Sequence, residues 1–194
     1  MKKTLKIVTL AVCALLLVAI GVAGTIAYFT WTGTVENTFT VGKVTATLDE
    51  AKVDEYGVKD GDKRVSEGNT FNVIPGHTYT KDPVITIGAN SEDAWVFVKV
   101  DNEIAALETT TAAKTIDGQL KANGWTAYTV AGVYYKSYTK SAADTKLATF
   151  TTFTVATTVE NGAEGGKITV SAYAIQKDGI ATVADAYAKL FPAT

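Results

Sequence analysis

The chain has 194 residues, 20% of them charged and 47% hydrophobic, with a formal charge of −2. That length fits one domain with a small appendage, and that balance excludes a disordered tail and a multi-span membrane protein. The weak negative charge disfavours nucleic acid as a partner.

Lys2, Lys3 and Lys6 precede an apolar run from Ile7 to Val18, then small residues to Ala23, then Gly24-Thr25-Ile26-Ala27. Basic, apolar and small segments in that order are the layout of a secretory signal. Residues 1–27 are therefore expected to be a signal peptide, with Thr25 and Ala27 flanking the cut on its N-terminal side and Tyr28 as the new N-terminus. The alternative is a retained membrane anchor. The apolar run is close to the roughly 20 residues that span a bilayer, and Tyr28, Phe29 and Trp31 have the character of an interfacial belt. Cleavage takes away Met1 and Cys13, the only Met and the only Cys, and leaves 28–194, 167 residues read as a single domain. Loss of the three lysines lowers the formal charge from −2 to −5. Without Cys that domain has no disulfide and must rely on its core, for which it is long enough.

Val44, Ala46 and Leu48 share one face of an extended chain and Thr45 and Thr47 the other, the pattern of a half-buried strand. Asp49 to Gly68 is polar and reads as an exposed loop or irregular hairpin. Pro75-Gly76 marks a turn. Val84 to Ile87 and Trp95 to Val100 read as strands, the second buried mainly on its Val96, Val98 and Val100 side. Asn102 to Gly124 is rich in Ala and Thr, with a short helix expected near Glu103 to Glu108. Strands follow at Thr126 to Ala131, Val133 to Thr139, Ala148 to Thr158 and Lys167 to Ile175. Gly132 and the stretch Glu160 to Gly166 predict hairpins between them. Val183, Ala184, Tyr187, Leu190 and Phe191 recur at helical spacing after Thr182, which predicts a helix from Val183 to Leu190. Some nine strands with Gly-rich connections imply an all-β fold, an antiparallel β-sandwich or jelly roll with a short C-terminal helix.

Chemistry is sparse. His77 is the single histidine, and a zinc site needs three or four N, S or O ligands, so it reads as an exposed turn residue. Ser66, Ser91, Ser137, Ser141 and Ser171 lack the context of a nucleophile elbow. Asp49, Glu50, Asp54, Glu55, Asp60 and Asp62 crowd one segment, but Lys52, Lys59, Lys63 and Arg64 are interleaved and the spacing fits no EF-hand, so a solvated loop is favoured over a calcium site. Tyr134, Tyr135 and Tyr138 read as core and surface positions of one strand rather than a sugar platform. Nothing here identifies an enzyme, a metal site or a cofactor.

Order, rather than any single motif, carries a resemblance. Gly24-Thr25-Ile26-Ala27-Tyr28-Phe29-Thr30 is followed by Asn37-Thr38-Phe39-Thr40-Val41-Gly42-Lys43-Val44 and then the pair Leu48-Asp49. Ile74-Pro75-Gly76-His77-Thr78-Tyr79-Thr80-Lys81-Asp82-Pro83, Asn90 to Val100 and Ala172-Tyr173-Ala174-Ile175-Gln176 come later in the chain. Together they resemble the exported proteins with SipW-dependent signal peptides, the TasA/camelysin family of biofilm-matrix fibre subunits. His77 departs from that family's acidic or polar residue after Pro-Gly, and the middle of the chain matches poorly. The resemblance implies a jelly-roll subunit of an extracellular, Gram-positive matrix fibre. It also implies a homo-polymer, signal peptidase as a partner during export, a minor matrix or cell-surface anchoring subunit, and membrane contact only before cleavage. Camelysin relatives have been labelled metalloproteases; recognisable metal ligands are lacking here and that activity is not carried over.

A sheet edge carries unpaired N–H and C=O groups that an extended segment of another chain can complete. Tyr28 to Val35 suits that role, with Phe29, Trp31 and Val35 on one face interrupted by Gly33. Tyr28, Phe29, Trp31 and Val35 are therefore the expected self-assembly residues. The alternative is that this segment packs on its own domain.

Overall fold

The structure is a computed structural model that describes residues 30–33, 44–160 and 166–192, the first of these spans by its backbone alone. The signal peptide, the cleavage residues Thr25, Ala27 and Tyr28, and the assembly residues Phe29 and Val35 lie outside the described residues.

The fold is mostly β, in antiparallel sheets with a short C-terminal helix. The strands are β1 (Thr30–Gly33), β2 (Ala46–Val53), β3 (Lys59–Val65), β4 (Thr78–Thr80), β5 (Val84–Ile87), β6 (Ala94–Asn102), β7 (Thr126–Ala127), β8 (Val133–Tyr138), β9 (Thr145–Ala148), β10 (Thr152–Thr154) and β11 (Ile168–Gln176). Helices α1 (Ile116–Ala122) and α2 (Val183–Leu190) complete the described elements, with short 3-10 turns at Ala105–Leu107 and Ala112–Lys114. One sheet runs β1-β11-β6-β8-β7, a second β3-β2-β5-β9, and β10 pairs with β4.

Alternation on β6 explains how the layers stack. Val96, Val98 and Val100 enter one buried cluster with Val170, Ala172 and Ala174 of β11, and meet Ala46, Ile85 and Ile87 from the other sheet. The valine side is the more buried one, as expected, but the opposite face is not wholly open. Phe97 is fully buried there in a second cluster with Val133, Ile175, Ile180 and Ala186. The cause is aromatic: Tyr187 of α2 stacks on Tyr128 at 4.4 Å and on Phe191 at 4.6 Å, and these rings roof the sheet. Each fully buried large side chain contributes roughly 1.5–3 kcal/mol.

Helix α2 matches the sequence pattern end for end. Thr182 Oγ1 accepts from the Asp185 N–H at 3.1 Å, which satisfies one of the free donors of the first turn. Helix α1 lies in the Ala/Thr-rich stretch, where a short helix was expected only near Glu103 to Glu108; the 3-10 turn Ala105–Leu107 lies there. Ile116 and Leu120 are its buried pair and Thr115 caps it. Gly118 weakens the helical signal, yet it is needed: a Cβ there would lie 1.8 Å from the Ala112 carbonyl oxygen. The Pro75-Gly76 turn is type II, with Gly76 at φ 76° and His77 N–H donating to the Ile74 carbonyl.

Of the two readings given for Asp49 to Gly68 the structure shows the irregular hairpin, β2–β3 with a register shift between Ala51 and Val53, and Glu50 on it points inward. Two expectations need correction. Ala148 to Thr158 is broken into β9 and β10, because Thr149 turns in to donate its hydroxyl to the Pro83 carbonyl at 2.6 Å. The strands that flank residues 160–166 do not pair with each other: β10 pairs with β4 and β11 with β6, so they belong to different sheets.

Candidate functional site

Strand β1 lies antiparallel on β11, with Thr30, Trp31, Thr32 and Gly33 opposite Ile175, Ala174, Tyr173 and Ala172. The orientation of β11's peptide groups follows from its other neighbour. Val100 N–H donates to the Gly132 carbonyl, away from β11, and Glu103 N–H donates to the Lys167 carbonyl. In an antiparallel ladder the two groups of one residue face the same side and sides alternate along the strand. Thr169, Ser171, Tyr173 and Ile175 therefore bond to β6, whereas Ala172 and Ala174 present their peptide groups to β1. Ile168 and Val170 present theirs to the same edge, beyond Gly33, where no described strand pairs with them. Of the expected assembly residues the structure thus places Trp31, opposite Ala174, on the edge of the five-stranded sheet.

Beside that half-edge lies an open groove of about 560 Å³, lined by Ile168 and Val170 of β11, Leu48 and Val65 of β2 and β3, and Phe71 and Phe153. Its polar floor was not anticipated from sequence. The Lys81 ammonium donates to Glu50 Oε2 at 2.8 Å, and both side chains are only 9% exposed. Asn69 closes the set, its Nδ2 donating to Glu50 Oε1 at 2.9 Å. Burial of two charges is tolerated when each is paired and hydrogen-bonded. No spacing rule reveals this group, because its members lie 19 and 31 positions apart in the chain. The only local signal is the acid Glu50 beside Ala51 on an otherwise alternating strand.

Just outside, the Arg64 guanidinium bridges Asp49 and Asp82. It contacts the Asp49 carboxylate through Nε and donates to both backbone carbonyls at 3.0 Å. Asp82 Oδ1 in turn accepts from the Ala51 N–H at 2.6 Å, fixing the bulge in β2. The hairpin's bases are each paired with an acid, Lys52 and Lys63 with Asp60 and Lys59 with Asp82.

Glu108, Asp117 and Tyr134 form another polar group. Burial pushes the Glu108 carboxyl above its usual range, although it accepts from the Ile116 N–H. The Lys121 ammonium holds Asp117 below its usual range. Burial first, then the hydrogen bond to Asp117, raises the Tyr134 hydroxyl well above an ordinary tyrosine. His77 is half-buried rather than free in a turn: Nε2 lies 2.9 Å from the Tyr56 carbonyl and the ring meets Tyr79 edge-on. Tyr134 and Tyr138 are buried in the core. Among the described residues no three of His, Cys, Asp and Glu come together as a metal site, and no helix is long and apolar enough to cross a membrane. No family model matches the chain, and neither the curated proteins nor the solved structures contain a match.

Proposed function

We propose that this chain is the exported structural subunit of an extracellular matrix fibre, a jelly roll that assembles when the N-terminal strand of one copy completes a sheet of the next. The observation that carries the reading is the position of β1. The segment that would begin the chain after cleavage is a separate edge strand, bonded to β11 through alternate residues. An edge strand joined to its domain by a connecting stretch can be exchanged for the identical strand of a neighbour, since the same pairing re-forms between chains. Phe29, Trp31 and Val35 would contribute roughly 5–8 kcal/mol of apolar burial to that contact before ordering costs. While residues 1–27 remain attached, the strand is tethered at the membrane, so cleavage by signal peptidase licenses assembly.

A second reading has an observation of its own. The strand β1 pairs within its own chain, which suits a monomeric or membrane-anchored cell-surface module. Imaging and light scattering on the chain that begins at Tyr28, beside one that begins at Asn37, separates the two. Filaments from the first and none from the second support strand addition. Equal polymerisation of both sinks it, and absence of polymer from both leaves the surface module.

A further inference from the structure

Glu50, Lys81 and Asn69 come from β2, the residue after β4, and the stretch between β3 and β4. One carboxylate holds both nitrogens, Lys81 Nζ on Oε2 at 2.8 Å and Asn69 Nδ2 on Oε1 at 2.9 Å. The Asn69 amide is fixed from its other sides as well. Its Oδ1 accepts from the Val53 N–H at 3.1 Å, its Nδ2 also donates to the Ala51 carbonyl at 2.9 Å, and its backbone N–H donates to Glu50 Oε1 at 3.2 Å. An amine, a primary amide and a buried acid are thereby locked together, and the chain has no Cys after Cys13 to cross-link it otherwise.

We propose that Lys81 and Asn69 are joined by an intramolecular isopeptide bond that forms spontaneously, with Glu50 carrying the protons. The attack requires a free amine, and Glu50 Oε2, 2.8 Å from Lys81 Nζ, is the base placed to take the ammonium proton. The free Nζ attacks Asn69 Cγ. Charge that develops on Oδ1 is met by the Val53 N–H, a donor already in place. Glu50 gives its proton to Nδ2 and takes one from Nζ. The Cγ–Nδ2 bond breaks, ammonia leaves through the open groove, and an amide and a neutral Glu50 remain. One Cγ–N bond forms and one breaks, nothing is oxidised, and no co-reactant is required. Holding the groups in one geometry replaces an encounter in solution, which is worth many powers of ten in effective concentration. The bond would clasp the stretch between β3 and β4 to the end of β4, fixing one wall of the groove. It is independent of the fibre reading.

Mass spectrometry of the purified folded chain tests it. The expected intact mass is lower by one ammonia than the sequence requires, and trypsin, unable to cut after an acylated Lys81, releases residues 65–99 less one ammonia in place of 65–81. Full mass overturns the proposal. So does ammonia loss confined to a 65–81 peptide that is cut after Lys81, which is the mark of a cyclic imide at Asn69. These readings need no variant to fold. In Glu50→Gln the full mass and the cut after Lys81 are expected to return; a 65–99 peptide less ammonia in that variant overturns the role given to Glu50.

Discussion

Two sheet edges face each other across the groove, and they are protected by opposite means. β3 presents Lys59, Asp60, Asp62, Lys63 and Arg64 to solvent, and all of its residues but Val65 are exposed. Charge of both signs along an edge repels a foreign strand. β11 has no such defence: Ala172, Ala174 and Ile175 are at most 2% exposed and its peptide groups need a partner. It is covered instead, by β1 over its second half. The difference teaches where strand exchange can act in this molecule. A charged edge rejects any strand, whereas a covered edge accepts any strand that matches its cover.

The largest effect is expected between the two edges, at the groove floor. Lys81→Met removes the link to Asn69 and leaves Glu50 buried without its nitrogen partner, and an unsatisfied buried polar group alone costs about 1–3 kcal/mol. Urea denaturation would show this as a markedly lower midpoint, and an unchanged midpoint would mean that Glu50 is hydrated after all.

A pair of proline substitutions then breaks the cover of β11. Trp31 lies opposite Ala174 and shares its bonded pair, whereas the peptide groups of Thr32 point away from β11. Trp31→Pro removes a ladder hydrogen bond worth about 1 kcal/mol. Hydrogen exchange at Ala172 and Ala174 should then speed up. Thr32→Pro should leave those amides protected. Equal exposure in both variants would refute the assigned ladder.

At the charged edge the effect on stability is smaller. Asp62→Val with Lys63→Val touches exposed positions, where changes usually stay within about 0.5 kcal/mol. Its consequence is association: light scattering should rise with concentration as the edge loses its charges. A variant as soluble as the parent would show that the hairpin twist, rather than charge, protects β3.

The acid limb of the stability curve gives the smallest signal. Asp117 is held below its usual range in the folded chain, so it contributes stability above its unfolded value, near pH 4, that is lost as pH falls through the lowered folded value. Glu108 is raised and acts in the opposite sense. Asp117→Asn should flatten the loss of stability below pH 4, measured by urea midpoints across pH. A slope equal to the parent's would assign that loss to other carboxylates.

Much of this architecture is local in origin and therefore legible without coordinates. Strand alternation in Val84 to Ile87 and Trp95 to Val100, the Pro75-Gly76 turn, the Gly132 hairpin and the capped helix from Val183 all depend on near neighbours in the chain. The sequence by itself determined that the chain is mostly antiparallel β, that α2 begins at its Thr182 cap, and that the described domain contains no thiol. Other features depend on residues far apart, and periodicity is silent about those. Tertiary structure alone decided that Phe97 is roofed by α2, that β10 and β11 part to different sheets, and that β1 covers the edge of β11. It alone brought Glu50, Asn69 and Lys81 to one carboxylate, because a buried charge is stable only where the fold supplies its partners.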